Sequence, residues 1–154
     1  MPNKREVPIS LWVVGGVACL VALATAWYSR AEDAQRAERG RQLFEGSQPM
    51  VARLYGQTTS LPSLASRCSN CHAVQPVVAL GTQAFGPRLN RATLTALAAR
   101  RGGPPSRFTE ESFCRLLSDG VDPASILLAG AMPRYTLAPA DCQALWQYLM
   151  QAPP

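Results

Sequence analysis

Histidine and lysine are almost absent from this chain of 154 residues, which contains one of each, His72 and Lys4. The formal net charge is +5, but the arginines are scattered along the chain and form no basic run. Nucleic-acid binding needs a concentrated basic patch, so the sequence predicts no nucleic-acid partner. A scattered positive charge is compatible with docking to an acidic partner protein, because the summed field of the molecule steers association.

Alternating apolar and polar runs, internal repeats and low-complexity segments are also lacking. Without alternation no stretch predicts a strand, whereas several stretches have helical spacing of their apolar residues. We therefore predict an all-α domain of helices joined by long loops rich in glycine and proline. Helices are expected from Asn90 through Arg100, from Thr109 to Gly120, and from Pro139, because Asn and Thr cap helices and proline suits the first helical position.

Five consecutive residues, Cys68-Ser69-Asn70-Cys71-His72, carry the clearest chemistry in the chain. Cys-x-x-Cys-His is the attachment signature of c-type haem. The two thiols lie one helical turn apart, so each can add to one vinyl group of the porphyrin, and the histidine can bind the iron from the proximal side. The motif predicts one covalent haem c, held by Cys68 and Cys71, with His72 as an iron ligand.

Two other interpretations of the cysteine pair have less support. A zinc site would need Cys114 and Cys142 as its other half, and their separation is not that of a zinc ribbon. A thioredoxin-like redox pair belongs to a βαβ setting, and no strand-like runs lie nearby.

An uncharged stretch runs from Ile9 to Tyr28. Its length matches the roughly 20 residues that a helix needs to cross the hydrocarbon core, and Trp12 and Trp27 place aromatic residues near its ends. We predict an N-terminal membrane anchor over residues 1–29, in contact with the membrane through residues 9–28. A cleaved signal peptide is the alternative, because small residues at 22–26 suit a cleavage site. Haem attachment belongs to oxidising compartments, which predicts that the haem domain lies on the periplasmic side.

Further segments resemble the monohaem class I cytochrome c family over roughly residues 34–150. The segment 85–89, Phe-Gly-Pro-Arg-Leu, is similar to the family's Gly-Pro-x-Leu segment, and 131–135, Ala-Met-Pro-Arg-Tyr, to its distal loop. The Gly40–Phe44 and Leu145–Leu149 segments are similar to its crossing N- and C-terminal helices. The resemblance implies a cytochrome c fold, a hydrogen bond from the His72 ring to the Pro87 carbonyl that fixes the ring, and Met132 as the sixth iron ligand.

One departure from the family affects the domain boundaries. The family's first helix runs almost directly into the haem motif, whereas here 24 positions separate Phe44 from Cys68. Residues 45–67 are therefore an insertion, or the first helix lies nearer the motif. We expect a stalk helix and linker at 30–66 and a haem core at 67–152, with the Gly40–Phe44 helix as a candidate to pack on it.

The prediction that Met132 is the sixth iron ligand can also be argued from the residues alone. With one histidine, ligation by two histidines of this chain is impossible. Met132 lies in a loop rich in glycine and proline between two helices, so its backbone is free to approach the iron. Met50 is the alternative ligand, and filling the core is the alternative role for Met132.

Two cysteines of the haem domain, Cys114 and Cys142, are left over once Cys68 and Cys71 bind haem. They lie on the predicted helices that flank the Met132 loop, and both can point inward. An even pair in an exported domain favours a disulfide bond. Two buried free thiols are the alternative.

Together these features predict an electron-transfer protein and no enzyme. It would carry one electron on a haem ligated by His72 and Met132 between redox partner proteins at the outer face of the membrane, as a tethered carrier or a subunit of a larger complex. The alternative is a haem enzyme or gas-binding protein with an open distal site. That function needs polar groups beside the iron, and no second histidine exists to provide one.

Overall fold

The structure, a computed structural model, describes residues 9–75 and 85–152, with side chains from residue 21 onward. Within these residues the helices are α1 (Ile9–Glu45), α2 (Arg91–Thr95), α3 (Glu110–Asp119) and α4 (Pro139–Gln151), and the strands are β1 (Val51–Arg53) and β2 (Arg134–Thr136). The chain divides into two compact units, one ending at Gln35 and one beginning at Arg36. The second unit contains the core and the candidate site.

The predicted all-α cytochrome c fold is wrong, because the described part of the chain contains a small sheet. Strands β1 and β2 pair antiparallel, with Val51 opposite Thr136 and Ala52 opposite Tyr135. Each strand has only three residues, too few for alternation to be recognised in the sequence, and they are paired across a long separation along the chain. The described residues therefore form a mainly helical structure with one two-stranded sheet.

The predicted transmembrane helix over residues 9–28 is also wrong. These residues belong to α1, a single helix of 37 residues that continues to Glu45. The helix continues past Tyr28 because residues 30–45 are rich in Ala, Glu, Arg and Gln, which are good helix formers. Within the described part of the chain, no helix is both long enough and apolar enough to cross a membrane.

The core of the second unit is built around the apolar face of α4. Leu145 and Leu149 are almost completely buried, and α1 contributes Leu43 and Phe44 to the same cluster. Ring contacts fix the neighbouring helices: Phe44 packs on Tyr148 with ring centroids 5.6 Å apart, and Phe113 of α3 packs on Trp146 at 5.5 Å.

The predicted helix starts are confirmed, since each depends on local chemistry. Asn90 accepts a hydrogen bond from the Thr93 amide at 3.0 Å, and Thr109 accepts one from the Ser112 amide at 3.2 Å. Proline 139 occupies the first turn of α4, and Gly120 ends α3 with a φ of 73°, a left-handed conformation that glycine adopts freely.

The predicted length of α2 is wrong, because the helix ends at Thr95 and does not reach Arg100. The backbone of Ala96 turns to an extended conformation, with a ψ of 133°. The Arg100 guanidinium then donates hydrogen bonds to the carbonyl oxygens of Thr93 and Ala96 at 2.9 and 3.2 Å. Carbonyls that a longer helix would have paired are thus satisfied by a side chain.

The predicted disulfide between Cys114 and Cys142 is confirmed. It joins α3 to α4, with the two Cα atoms 5.8 Å apart. The pair is therefore neither two free thiols nor half of a zinc site. Because the bonded residues flank the segment that carries Met132, both ends of that segment are covalently joined.

Candidate functional site

The motif Cys68–His72 folds into a tight backbone turn that begins at the first cysteine and includes the second. Cys68–Asn70 form one turn of 3₁₀ helix, and the amide of His72 donates to the Cys68 carbonyl at 2.9 Å. Both thiols are free; Cys68 is half-buried and Cys71 is exposed. Burial raises the pKa of the Cys68 thiol to about 11, so this cysteine is held as the neutral thiol at physiological pH.

A cavity of about 410 Å³ opens beside this turn. All five residues predicted for the cofactor site line it: Cys68, Cys71, His72, Pro87 and Met132. The rest of its described wall is dominated by leucine and phenylalanine side chains, which come from all four helices and from the loops between them. The fold therefore brings the predicted site residues together around one apolar space.

The segment after the haem motif is fixed to it by backbone hydrogen bonds. The Gly86 amide donates to the Cys71 carbonyl at 2.8 Å, and the Leu89 amide donates to the Ala73 carbonyl at 2.9 Å. These bonds hold Pro87 beside the imidazole of His72. A Cβ atom on Gly86 would overlap the His72 ring, so glycine is required for this close approach.

The imidazole of His72 is held in one tautomer. Its Nδ1 lies 2.8 Å from the Pro87 carbonyl oxygen. A carbonyl only accepts hydrogen bonds, so Nδ1 carries the proton and Nε2 keeps its lone pair. Burial lowers the pKa of His72, against the opposing effect of the Pro87 hydrogen bond. The site therefore favours a neutral histidine with one nitrogen available as a metal ligand.

Met132 is half-buried in the short turn that precedes β2. Its amide donates to the Ala129 carbonyl at 3.1 Å. Met50, the alternative ligand, is instead buried in the core next to β1 and accepts a hydrogen bond from Ser66 through its carbonyl. Among the described residues that line the cavity, Met132 is the one methionine.

Tyr135 also lines the cavity and was not predicted from the sequence. Its hydroxyl donates to the Ser66 carbonyl at 2.9 Å, which connects β2 to the chain just before the haem motif. Burial, with the nearby Cys68 thiol, raises the pKa of Tyr135, so its hydroxyl stays protonated. No pattern of neighbouring residues in the sequence could have placed Tyr135 in the cavity wall, because its position depends on the pairing of β1 with β2.

The charged side chains of the described cavity wall are arginines: Arg67, Arg100 and Arg101. The Arg100 guanidinium lies 5.2 Å from the centre of the Phe108 ring and donates hydrogen bonds to backbone carbonyl oxygens. Arg101 lies 3.8 Å from the buried carboxylate of Asp122. The sequence did not indicate that these arginines line a cavity, because the rest of the wall comes from other parts of the chain.

No group of three or more His, Cys, Asp or Glu side chains that could hold a metal ion occurs in the described ranges. Comparison with protein families, with curated proteins and with solved structures finds no match to this chain. The family resemblance and the predicted boundaries of the linker at 30–66 and the haem core at 67–152 stay predictions.

Proposed function

We propose that this chain is an electron-transfer protein that binds one c-type haem in the cavity beside the Cys68–Asn70 turn. The observation that supports this most directly is the state of His72. Its Nδ1 is engaged by Pro87 at 2.8 Å, its pKa is lowered by burial, and it lines the same cavity as both thiols of the motif. A neutral histidine that has one nitrogen anchored and the other free is the usual form of a metal-binding histidine.

The residues that line the cavity fit a haem group. The cavity volume of about 410 Å³ falls in the range of roughly 300–1,000 Å³ that is typical of small-molecule and cofactor sites. A porphyrin supplies four nitrogen ligands itself, so the protein needs only axial ligands and not a cluster of three side chains. Apolar walls favour a flat, largely apolar ring, and the arginines at 67, 100 and 101 provide positive charge for its carboxylates.

Each residue of the site has a separate task in this proposal. Cys68 and Cys71 would each hold the haem through a thioether, formed when the S–H adds across a vinyl double bond with sulfur on one carbon and hydrogen on the other. The half-buried Cys68 is in the neutral thiol form before this addition. His72 donates Nε2 to the iron, and Pro87 keeps the ring from turning. Met132 supplies a thioether, a soft ligand that favours reduced iron. Haem, when bound, would supply one-electron redox chemistry, and His72 and Met132 together would leave no place on the iron for a small molecule.

The setting of this activity follows from the cysteines. A disulfide between Cys114 and Cys142 and thiol-linked haem both belong to oxidising compartments. We therefore place the proposed function on the periplasmic side of the cell. The net charge of +5 suits donor and acceptor proteins with acidic docking faces, because opposite fields raise the rate of encounter.

The test is the absorption spectrum of the full chain after maturation with haem. We expect covalent haem, a sharp reduced α band, and the weak far-red band of methionine-ligated ferric iron. Met132→Leu, which preserves the apolar volume but cannot ligate, should abolish the far-red band and allow carbon monoxide to bind ferrous iron. Met50→Leu is the matched control and should change neither property.

Three outcomes would contradict the proposal. Failure of Cys68→Ser and Cys71→Ser to abolish covalent haem would remove the attachment site. Loss of the far-red band in Met50→Leu but not in Met132→Leu would remove the ligand assignment. Carbon monoxide binding by the unmodified protein as tight as by Met132→Leu would favour the haem enzyme or gas-binding alternative.

A further inference from the structure

The segment that carries Met132 has few side chains able to fix it. Residues 129–133 read Ala-Gly-Ala-Met-Pro, so its neighbours are small residues and one proline. Within the segment one backbone hydrogen bond is formed, from the Met132 amide to the Ala129 carbonyl. A loop held by this bond alone would have many conformations open to it, and ordering it in one of them would cost conformational entropy.

Arg134 lies just after this segment, and its guanidinium turns back to bridge it. Nη1 donates to the Met132 carbonyl at 2.6 Å, and Nη2 donates to the Leu128 carbonyl at 3.2 Å. The two acceptors stand at the two ends of the turn. A planar guanidinium presents its donors in a fixed fork, so it can hold two carbonyls at a set distance in a way that a lysine cannot.

The surroundings keep this guanidinium in place. The ring of Tyr55 lies over it, with the ring centre 5.8 Å from Cζ. Gly120 also lies against the guanidinium, because a Cβ atom on this glycine would overlap it. The Leu128 amide also donates to the Gly120 carbonyl at 2.7 Å. The Arg134 guanidinium thus packs against the Tyr55 ring and against the backbone of Gly120 at the end of α3.

We propose that Arg134 is a positioning residue for the sixth iron ligand: by holding the carbonyls of Met132 and Leu128 together, it keeps the Met132 thioether directed into the haem cavity. The inference rests on the proposed haem function. It assigns Arg134 no contact with iron or haem. Its effect is on how well Met132 competes with an added ligand for the sixth position.

The sheet provides a matched control. Arg53 is directly opposite Arg134 in the pairing of β1 with β2, and its side chain is exposed. Arg53→Gln and Arg134→Gln therefore remove the same charge from the same side-chain type at paired positions. Only Arg134→Gln removes the bridge between the two carbonyls.

The experiment measures carbon monoxide affinity of the full ferrous protein, matured with haem, for the wild type and both variants. Loss of about one net hydrogen bond to a charged donor corresponds to about tenfold in an equilibrium constant. We expect Arg134→Gln to bind carbon monoxide about tenfold more tightly than the wild type, with a weakened far-red band in the ferric state. Arg53→Gln should differ by less than about twofold, within the range of ordinary surface substitutions.

Arg134→Lys is the second variant and preserves the charge in case Arg134→Gln does not mature. Because one ammonium group cannot span both carbonyls, we expect an intermediate gain in carbon monoxide affinity. Equal affinities for the wild type, Arg134→Gln and Arg134→Lys, with the far-red band intact in all three, would overturn the inference and leave the proposed function standing. An equal gain in Arg53→Gln would also overturn it, since charge alone would then explain the effect. A wild-type protein without the far-red band would overturn both proposals.

Discussion

Gly40 of α1 lies so close to Ala144 of α4 that a Cβ atom on Gly40 would overlap the Ala144 carbonyl group and approach Tyr148. Ala144 is itself completely buried. One turn further along α1, Phe44 packs against the ring of the same Tyr148. The two helices therefore meet at a point where neither has a side chain larger than a methyl group, and the cavity wall contributed by Phe44 depends on that contact.

We expect Gly40→Ala to destabilise the fold by about 1–3 kcal/mol, the usual cost of forcing an extra methyl group into a packed contact. At an exposed helical position the same substitution would stabilise by roughly 1 kcal/mol, because alanine is the better helix former. Whether Gly40→Ala lowers or raises the free energy of unfolding therefore tests the close contact between Gly40 and Ala144. Denaturant unfolding of the full chain measures it, with Gln35→Ala, exposed on the same helix, as a control that should be nearly neutral.

A second substitution tests the packing of His72. Gly86→Ala places a methyl group against the imidazole, so we expect the ring to shift away from Pro87 and covalent haem yield or the ferric spectrum to change. Arg88→Ala is the control, because this side chain is exposed, does not line the cavity and should be tolerated. Normal haem yield and an unchanged spectrum in Gly86→Ala would show that the ring position is not set by this glycine.

The Cys114–Cys142 disulfide should stabilise both the fold and the methionine ligation. It closes a loop with a sequence separation of 28 residues, which corresponds to about 3–4 kcal/mol in the chain-entropy model. We expect the double variant Cys114→Ser with Cys142→Ser to melt at a lower temperature and to lose the far-red band at milder denaturant. Reductant should lower the stability of the wild type toward that of the variant and leave the variant unchanged. Equal melting temperatures would mean that the bridge contributes nothing to stability.

A surface ion pair on α1 predicts a pH effect. The hydrogen bond from Arg41, followed by that from Gln42, lowers the pKa of Glu38 from an ordinary value of 4.5 to about 2. A lowered carboxyl pKa in the folded state gives a stabilising contribution that is complete above pH 4.5 and is lost as the pH falls toward 2. The pair is exposed, so we expect the contribution to be small.

NMR titration of the Glu38 carboxyl carbon measures this pKa directly. Arg41→Gln should raise it toward the ordinary value, and Gln42→Ala should raise it less. A Glu38 pKa that is the same in Arg41→Gln and in the wild type would contradict the ion pair.

Local chemistry was sufficient to predict several features of this chain. Asn90, Thr109 and Pro139 mark helix starts because each acts within one turn of its own position, and Gly120 ends α3 because it alone adopts the left-handed conformation freely. The Cys114–Cys142 disulfide followed from helical spacing and from the two cysteines that remain in the predicted haem domain beside Cys68 and Cys71. The haem attachment that the Cys-x-x-Cys-His motif indicates stays a prediction, although it too is based on five adjacent residues.

Features that depend on distant segments were decided by the tertiary structure. The strands β1 and β2 are too short to show a period, and they exist because Val51–Arg53 and Arg134–Thr136 pair with each other. The contacts of Tyr135 and Arg134 likewise involve Ser66, Tyr55 and Gly120, which lie outside their own turns of the chain. A sequence pattern indicates interactions between residues that are close along the chain. The shape of the cavity and the contacts of the Met132 loop depend on tertiary contacts, which form only when the whole unit packs.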